Sequence, residues 1–309
     1  MPASAQSEIT TASTIHPATR LGHVHLTVAN LDRQVQFYTQ VLKFQLHWRK
    51  GSEAALGTEA EVLLRLTEDP TARRVQNTTG MYHFAILYPS RKELARAIAR
   101  LFALRYLNYP TDHGISKTTY LDDAEGNNIE LYVRSLEDAK FEIMEGQWVV
   151  RYVDGRIGNG RDPLDVEALF RELDDSDRFD LPLPEGTRIG HMHLYASSLE
   201  TSMNFYAHVL GFQEGPLIES FRMGEVGLDG RQPHVIAFNT WKGTGIPPAP
   251  ANALGMRYFT IVLPTEGELQ RLLERIQATG IPTEQTPDGI LVRDPSQISL
   301  ILTEHMLST

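Results

Sequence analysis

Two stretches of this chain repeat one another without a gap, and that repeat restricts the fold more than any other feature. LGHVHLTVANLDRQVQFYTQVLKF, from Leu21, matches IGHMHLYASSLETSMNFYAHVLGF, from Ile189. His23 and His191, His25 and His193, Phe37 and Phe205, Tyr38 and Tyr206, and Phe44 and Phe212 each stand 168 residues apart. A second pair lies between and beyond them, GMYHFAILYPSRKEL from Gly80 and GMRYFTIVLPTEGEL from Gly255. The chain therefore reads as four like units, each a supersecondary structure that buries its apolar face against a neighbour.

Every unit carries the same pattern. HVHLTV alternates as a strand, and Asp32 (Glu200 in the repeat) then opens a helical stretch with Leu31, Val35, Tyr38, Val41 and Leu42 at three- and four-residue steps. Strand-like runs follow at 62–66, 118–120 and 129–133, the last two separated by the turn DDAEGNN. Strand, helix, then two or three strands predict an α+β fold, with an antiparallel-rich sheet and helices on one face. The expected divisions are a polar, mobile tail at 1–20, two units at 21–135, an acidic linker at 136–187, and two units at 188–304. The linker shows one short amphipathic helix at 166–173, read as solvated, and the Pro-rich GTGIPPAPANALG reads as an extended loop between the third and fourth units.

Charge and composition narrow the partners. With 29 Lys+Arg against 39 Asp+Glu in 309 residues, the net charge of −10 argues against nucleic acid and anionic membranes. The absence of cysteine removes disulfides, thiolate metal sites and cysteine nucleophiles together. No apolar run approaches the ~18 residues of a membrane span, and the first twenty residues lack a signal-peptide pattern. A cytoplasmic location is expected, and a homo-oligomer stays open.

Side-chain alternation puts unusual chemistry on one sheet face. His23, His25 and Thr27 share a face opposite Val24, Leu26 and Val28; His83 and Ala85 oppose Phe84 and Ile86; Glu130 and Tyr132 oppose Ile129, Leu131 and Val133. Buried imidazoles and a carboxylate cost several kcal/mol unless paired or bound. Two imidazoles and one carboxylate with open positions form the facial triad of non-haem Fe(II) oxygenases, although other first-row metals take the same ligands.

These motifs resemble those of the vicinal oxygen chelate superfamily, built of paired βαβββ units and including glyoxalases, antibiotic-resistance binding proteins and extradiol dioxygenases. Within it, the chain is most similar to two-domain bacterial catechol 2,3-dioxygenases, from Leu21 to Thr303. GHVHL and GHMHL look like the first metal-histidine strand, at His23 or His191, and YHFAILYPSRKEL looks like the second, at His83. DHGISKTTYLDDAEGNNIELY resembles the block ending in the metal glutamate, Glu130, with an active-site tyrosine ten residues earlier, Tyr120, and a substrate-contacting histidine, His113. His234 of HVIAFNTW resembles the acid–base histidine.

The fourth unit departs from the pattern, with Tyr258 in place of His83 and no carboxylate on ISLIL, so one metal set is expected. Its third ligand is His23 if neighbouring units pair and His191 if the second pairs with the third. His191 is preferred because its unit also supplies His234, whereas the closing strand EVLLRL of the first unit supplies no acid–base residue. His25 and His193 are expected as pocket walls, Trp241 as packing beneath the Pro-rich loop, and His16, His47, His208 and His305 at the surface.

The resemblance implies an Fe(II)-dependent (or Mn(II)-dependent) extradiol dioxygenase that opens a small aromatic vicinal diol with dioxygen. A glyoxalase-like lyase or isomerase is the alternative enzyme, disfavoured by the single carboxylate. A metal-free protein that sequesters an aromatic ligand is the alternative from another class.

Overall fold

The computed structural model describes residues 14–144, 147–230 and 232–307. Unit one runs β1 (Arg20–Val28), α1 (Leu31–Gln40), β2 (Gln45–Lys50), β3 (Glu53–Gly57), β4 (Val62–Glu68); unit two runs β5 (Gly80–Leu87), α2 (Arg91–Ala103), β6 (Tyr109–Asp112), β7 (Ser116–Asp122), β8 (Asn128–Arg134). The connecting segment contributes β9 (Ala139–Met144), β10 (Gln147–Tyr152), β11 (Ile157–Gly158), β12 (Asp162–Pro163) and α3 (Val166–Phe170). Unit three holds β13 (Arg188–Tyr195), α4 (Leu199–Met203), β14 (Gln213–Ile218), β15 (Met223–Gly227) and β16 (Ile236–Asn239). Unit four holds β17 (Gly255–Val262), α5 (Glu266–Ala278), β18 (Thr283–Thr286), β19 (Gly289–Arg293) and β20 (Ser299–Thr303).

One device starts the helix of every unit. The side chains of Asn30, Ser90, Ser198 and Thr265 leave the first strand in extended conformation and accept the N–H three residues on, which satisfies one of the unpaired donors of the first turn. In unit three the helix widens after Met203 into a π-turn over Asn204–Val209.

The units assemble out of sequence order. Units two and three share a nine-stranded sheet, β12-β6-β7-β8-β5-β13-β16-β15-β14, and units four and one share an eight-stranded sheet, β18-β19-β20-β17-β1-β4-β3-β2. The joints are antiparallel, β5 with β13 and β1 with β17. Helices tie sequence neighbours back together: the Tyr38 hydroxyl donates to Asp123 at 3.0 Å, and that of Tyr206 to Asp294 at 2.9 Å. Phe84, Ile86, Ile129, Leu131, Met192 and Leu194 are fully buried in one continuous core with the helices. The opposite faces of the same strands are left to the histidines.

Three segments depart from the sequence expectation. The linker is not only a solvated helix, because β9, β10 and β11 form a separate three-stranded sheet and β12 extends the nine-stranded one. Its helix ends at Phe170 rather than 173 and packs on α2, with Leu169 buried and the Phe170 and Phe102 rings 5.8 Å apart. Of the tail expected at 1–20, residues 1–13 lie outside the described residues. The rest is fastened: Ile15 is buried and its N–H donates to the Gly211 carbonyl at 2.7 Å. No helix among the described residues is long and apolar enough to cross a membrane.

Candidate metal centre and active site

The nine-stranded sheet sets its polar side chains in register. His191 of β13 lies opposite Ala85 of β5, Ala85 opposite Glu130 of β8, and Glu130 opposite Tyr120 of β7; in the next row His193 faces His83. Pleating sends all of these to one face. The small Ala85 side chain leaves the middle of the row open between its larger neighbours.

Three of these side chains converge. His83 Nε2 and His191 Nε2 are 3.2 Å apart, and Glu130 Oε2 lies 3.1 Å from the first and 3.0 Å from the second. All three residues are buried, and they are the group among the described residues whose donor atoms could hold one metal ion. The triangle is informative. Donors about 2.1–2.2 Å from one ion and at right angles lie about 3.0–3.1 Å apart, whereas tetrahedral angles would spread them to about 3.5 Å. Such tight edges match one face of an octahedron. Without a cation, both Nε2 atoms would have to carry protons to donate to Glu130, with two N–H groups 3.2 Å apart, whereas one divalent ion takes all three atoms as lone-pair donors, so the donor set fits such an ion.

Electrostatics point the same way. Burial, helped by the nearby His234, lowers His191 to about 3, and burial also lowers His83, so both rings are neutral and able to donate lone pairs at neutral pH. Burial alone would raise Glu130, but His191 and His83 outweigh it and hold the carboxyl well below the usual carboxylate range. The Nδ1 atoms of both rings are buried without a hydrogen-bond partner among the described residues.

The remaining expected residues surround this triangle. His234 packs its ring 4.3 Å from that of His191, and its Nδ1 lies 2.5 Å from Glu225 Oε2. A carboxylate only accepts, so Nδ1 carries the proton and Nε2 is the basic atom. Burial would lower His234, but the Glu225 charge and hydrogen bond prevail and raise it from the ordinary imidazole value. Tyr120 Oη lies 2.8 Å from His113 Nε2, while His113 Nδ1 bonds the Gly160 carbonyl. That carbonyl only accepts, so in the neutral His113 ring Nδ1 is protonated and Nε2 accepts the Tyr120 hydroxyl proton. In that tautomer Tyr120 turns oxygen lone pairs toward the cup. His193 accepts from the Asn239 amide at 2.9 Å and forms wall rather than ligand. Trp241, expected only as packing, lines the cavity while its indole N–H donates to the Phe221 carbonyl at 2.6 Å.

Above the triangle is a cavity of about 760 Å³, bounded by Tyr82, Phe221 and Trp241 and, from the linker, by Phe141, Trp148 and Arg161. Glu225 and the linker contacts were missed from sequence. Glu225 had a signal, a charge at an inward position of the short alternating strand MGEVG.

The eight-stranded sheet builds a different cup at the equivalent place. His23 and His25 are buried there with Tyr258 edge-on at ring distances of 5.7 and 4.8 Å. The carboxylates near it complete no site, because they are taken: Arg65 bonds Asp288 at 2.8 and 2.9 Å and Glu53 at 3.0 Å, and the Tyr258 hydroxyl donates to Asp288 at 2.7 Å. Arg65 comes from EVLLRL, the strand that supplies no acid–base residue. At the position corresponding to Glu130 the strand carries Ile301, opposite Leu291 as Glu130 is opposite Tyr120.

Two predictions arise from this geometry. Gly190, just before His191, has no room for a side chain, since a Cβ would lie 2.1 Å from Tyr132 Oη and 2.8 Å from Leu87 Cβ. Gly190→Ala should lower unfolding stability by about 1–3 kcal/mol through overpacking. Gly22→Ala, whose Cβ would meet the Val262 methyl at 2.9 Å, should cost less in the same urea titrations.

The second concerns acid. Burial lowers His23 to about 4, His25 to about 2 and His191 to about 3, and lowers His83 and His193 as well. Below the ordinary imidazole pKa of about 6.5, the unfolded chain takes up protons that the metal-free fold refuses. Each such ring then removes up to about 1.4 kcal/mol of stability per pH unit until its folded pKa is reached. The urea midpoint of metal-free protein should fall steeply from pH 6.5 toward 4; a level midpoint over that window would contradict the buried neutral rings.

Fold and site together define a class. The model of the Glyoxalase/Bleomycin resistance protein/Dioxygenase superfamily matches residues 20–131 and 188–298, and the chain belongs to that family. Across 286 residues, 92% of this chain and 96% of the relative, it is 36% identical to the catechol-2,3-dioxygenase of Bacillus subtilis strain 168. Its fold is similar to that of a solved Bacillus subtilis protein, with a TM-score of 0.62 and 12% identity over 94% of this chain and 86% of that one. It is similar also to glyoxalase I of Zea mays, with a TM-score of 0.53 and 15% identity over 92% of each chain.

Proposed function

We propose that the protein is an Fe(II)-dependent extradiol dioxygenase that opens the ring of a small aromatic vicinal diol with dioxygen. The observation that carries this reading is the near-equilateral triangle of His83, Glu130 and His191 donor atoms, with edges of 3.0–3.2 Å, supported by the catechol-2,3-dioxygenase relative. His83, Glu130 and His191 would hold the ion. When bound, a ferrous ion would supply adjacent positions for the two diol oxygens and for dioxygen, and a path for electrons between them.

The chain itself supplies positioning and proton transfer. His234 takes a hydroxyl proton from the diol on Nε2 while Glu225 holds Nδ1–H, fixing the tautomer and balancing the imidazolium charge. The same nitrogen returns the proton to the oxygenated ring as it opens. Tyr120, its own proton committed to His113, accepts from a diol hydroxyl and fixes the plane of the ring. Tyr82, Phe221 and Trp241 enclose the ring and keep bulk water from the reacting carbons.

A glyoxalase-like reaction shares the fold, but here one carboxylate and two histidines face the ion, and the other lining carboxylate, Glu225, is bonded to His234. The test is anaerobic loading with Fe(II), Mn(II) or Zn(II), followed by exposure to catechols in air. Iron-loaded protein should consume dioxygen and form yellow ring-opened product, while zinc-loaded protein should not. Activity with zinc alone would count against the proposal.

A further inference from the structure

The cavity is larger than a bare catechol requires. Its volume of about 760 Å³ lies in the range that encloses drug-sized ligands, about 300–1,000 Å³. A simple diol seated on the triangle would leave much of that space open.

The charges around the remainder are unbalanced. The carboxylates lining the cavity, Glu130 and Glu225, are both committed to histidines. Arg134, Arg161 and Arg222 also line it, and none of the three forms an ion pair with another described residue; Arg161 is the one that lies beside two cavity-wall aromatic rings. The Arg161 guanidinium, on an exposed residue, sits 5.7 Å from the Phe221 ring centre and 5.6 Å from that of Trp241. The loop beneath it is fastened as well: Arg161 N–H donates to Asn159 Oδ1 at 2.8 Å, and the Gly160 carbonyl accepts from His113. The guanidinium is within electrostatic reach of the diol end, since its charge opposes the rise that burial imposes on the hydroxyls of Tyr82 and Tyr120. An exposed arginine on the cavity wall, beside two rings and without a carboxylate partner among the described residues, can receive an anionic substituent of a bound ligand.

We propose that Arg161 is a specificity residue, and that the substrate is an aromatic vicinal diol bearing a carboxylate on a short side chain. The diol end would sit on the His83–Glu130–His191 triangle, the side chain would pass between Phe221 and Trp241, and the carboxylate would meet the Arg161 fork. This assignment rests on the diol-cleaving reading of the cup.

The experiment compares 3-(3,4-dihydroxyphenyl)propanoate with its neutral amide on iron-loaded wild type, Arg161→Met and Arg161→Lys. Turnover in air is one readout, and anaerobic binding by tryptophan quenching is the other. Wild type should favour the carboxylate at least tenfold in both kcat/KM and Kd. Arg161→Met keeps an apolar stem and should bring both ratios near one. Arg161→Lys, a charge without the fork, should restore part of the preference. Absence of preference in wild type, or its survival in Arg161→Met, overturns the proposal. If iron-loaded wild type cleaves neither compound, the proposed activity fails on its own, and the binding ratios still decide the role of Arg161.

Discussion

His191→Ala should purify with less than about a tenth of the metal that wild type takes up under the same loading, while His23→Ala keeps the full complement. Both residues are the histidine of a GHxHL first strand, and both are buried. The difference is the sheet each joins. His191 lies on β13, antiparallel to β5, which brings its Nε2 within 3.2 Å of His83 and 3.0 Å of Glu130. His23 lies on β1 beside β17, where Thr260 and Tyr258 are its neighbours and Arg65 claims the nearby carboxylates. Loss of an outer partner of a ligand already costs about 10–100-fold in metal affinity, so loss of a ligand from a set of three should cost more. The reverse result, with His23 essential and His191 dispensable, would remove the basis for the metal centre described above.

His234→Ala should retain metal and lose turnover by about 10²–10⁴-fold, the usual contribution of a positioned acid–base group. The ring packs on His191 but lies outside the triangle, so its removal leaves all three donors in place. Glu225→Gln should fall between wild type and His234→Ala, because the tautomer is still held but the charge that raises His234 is gone. Tyr120→Phe should also keep its metal and turn over more slowly. Metal content by elemental analysis beside single-turnover rates separates these outcomes. Metal-free but folded His234→Ala would mean the histidine serves the ion and not the proton.

Much of this was legible in the sequence because it is local. The gapless repeat fixes four units, and the two-residue period of HVHLTV, YHFAIL and NIELYV places histidines and Glu130 on the face away from the core. Each helix start could be read from a polar residue after the first strand, since capping involves only residues three apart. What was hidden depends on distant pairing. Asp288 and Arg65 meet across 223 residues to fill the second cup, which no local pattern announces. Arg161 and Trp148 come from a segment whose acidic composition reads as solvated linker. The runs KFEIM and WVVRY within it carry a strand signal that the surrounding charge obscures.

The central claim, oxidative opening of a diol ring at the His83–Glu130–His191 centre, is tested most directly by isotope. Iron-loaded protein is given a catechol under ¹⁸O₂, and the product is examined by mass spectrometry with dioxygen uptake recorded in parallel. Both atoms of one labelled dioxygen should appear in a single ring-opened product, with one dioxygen consumed per diol, and the His191→Ala variant should form none. A product carrying no label, formed without dioxygen uptake, would contradict the account and direct attention to an isomerase or lyase reaction at the same metal.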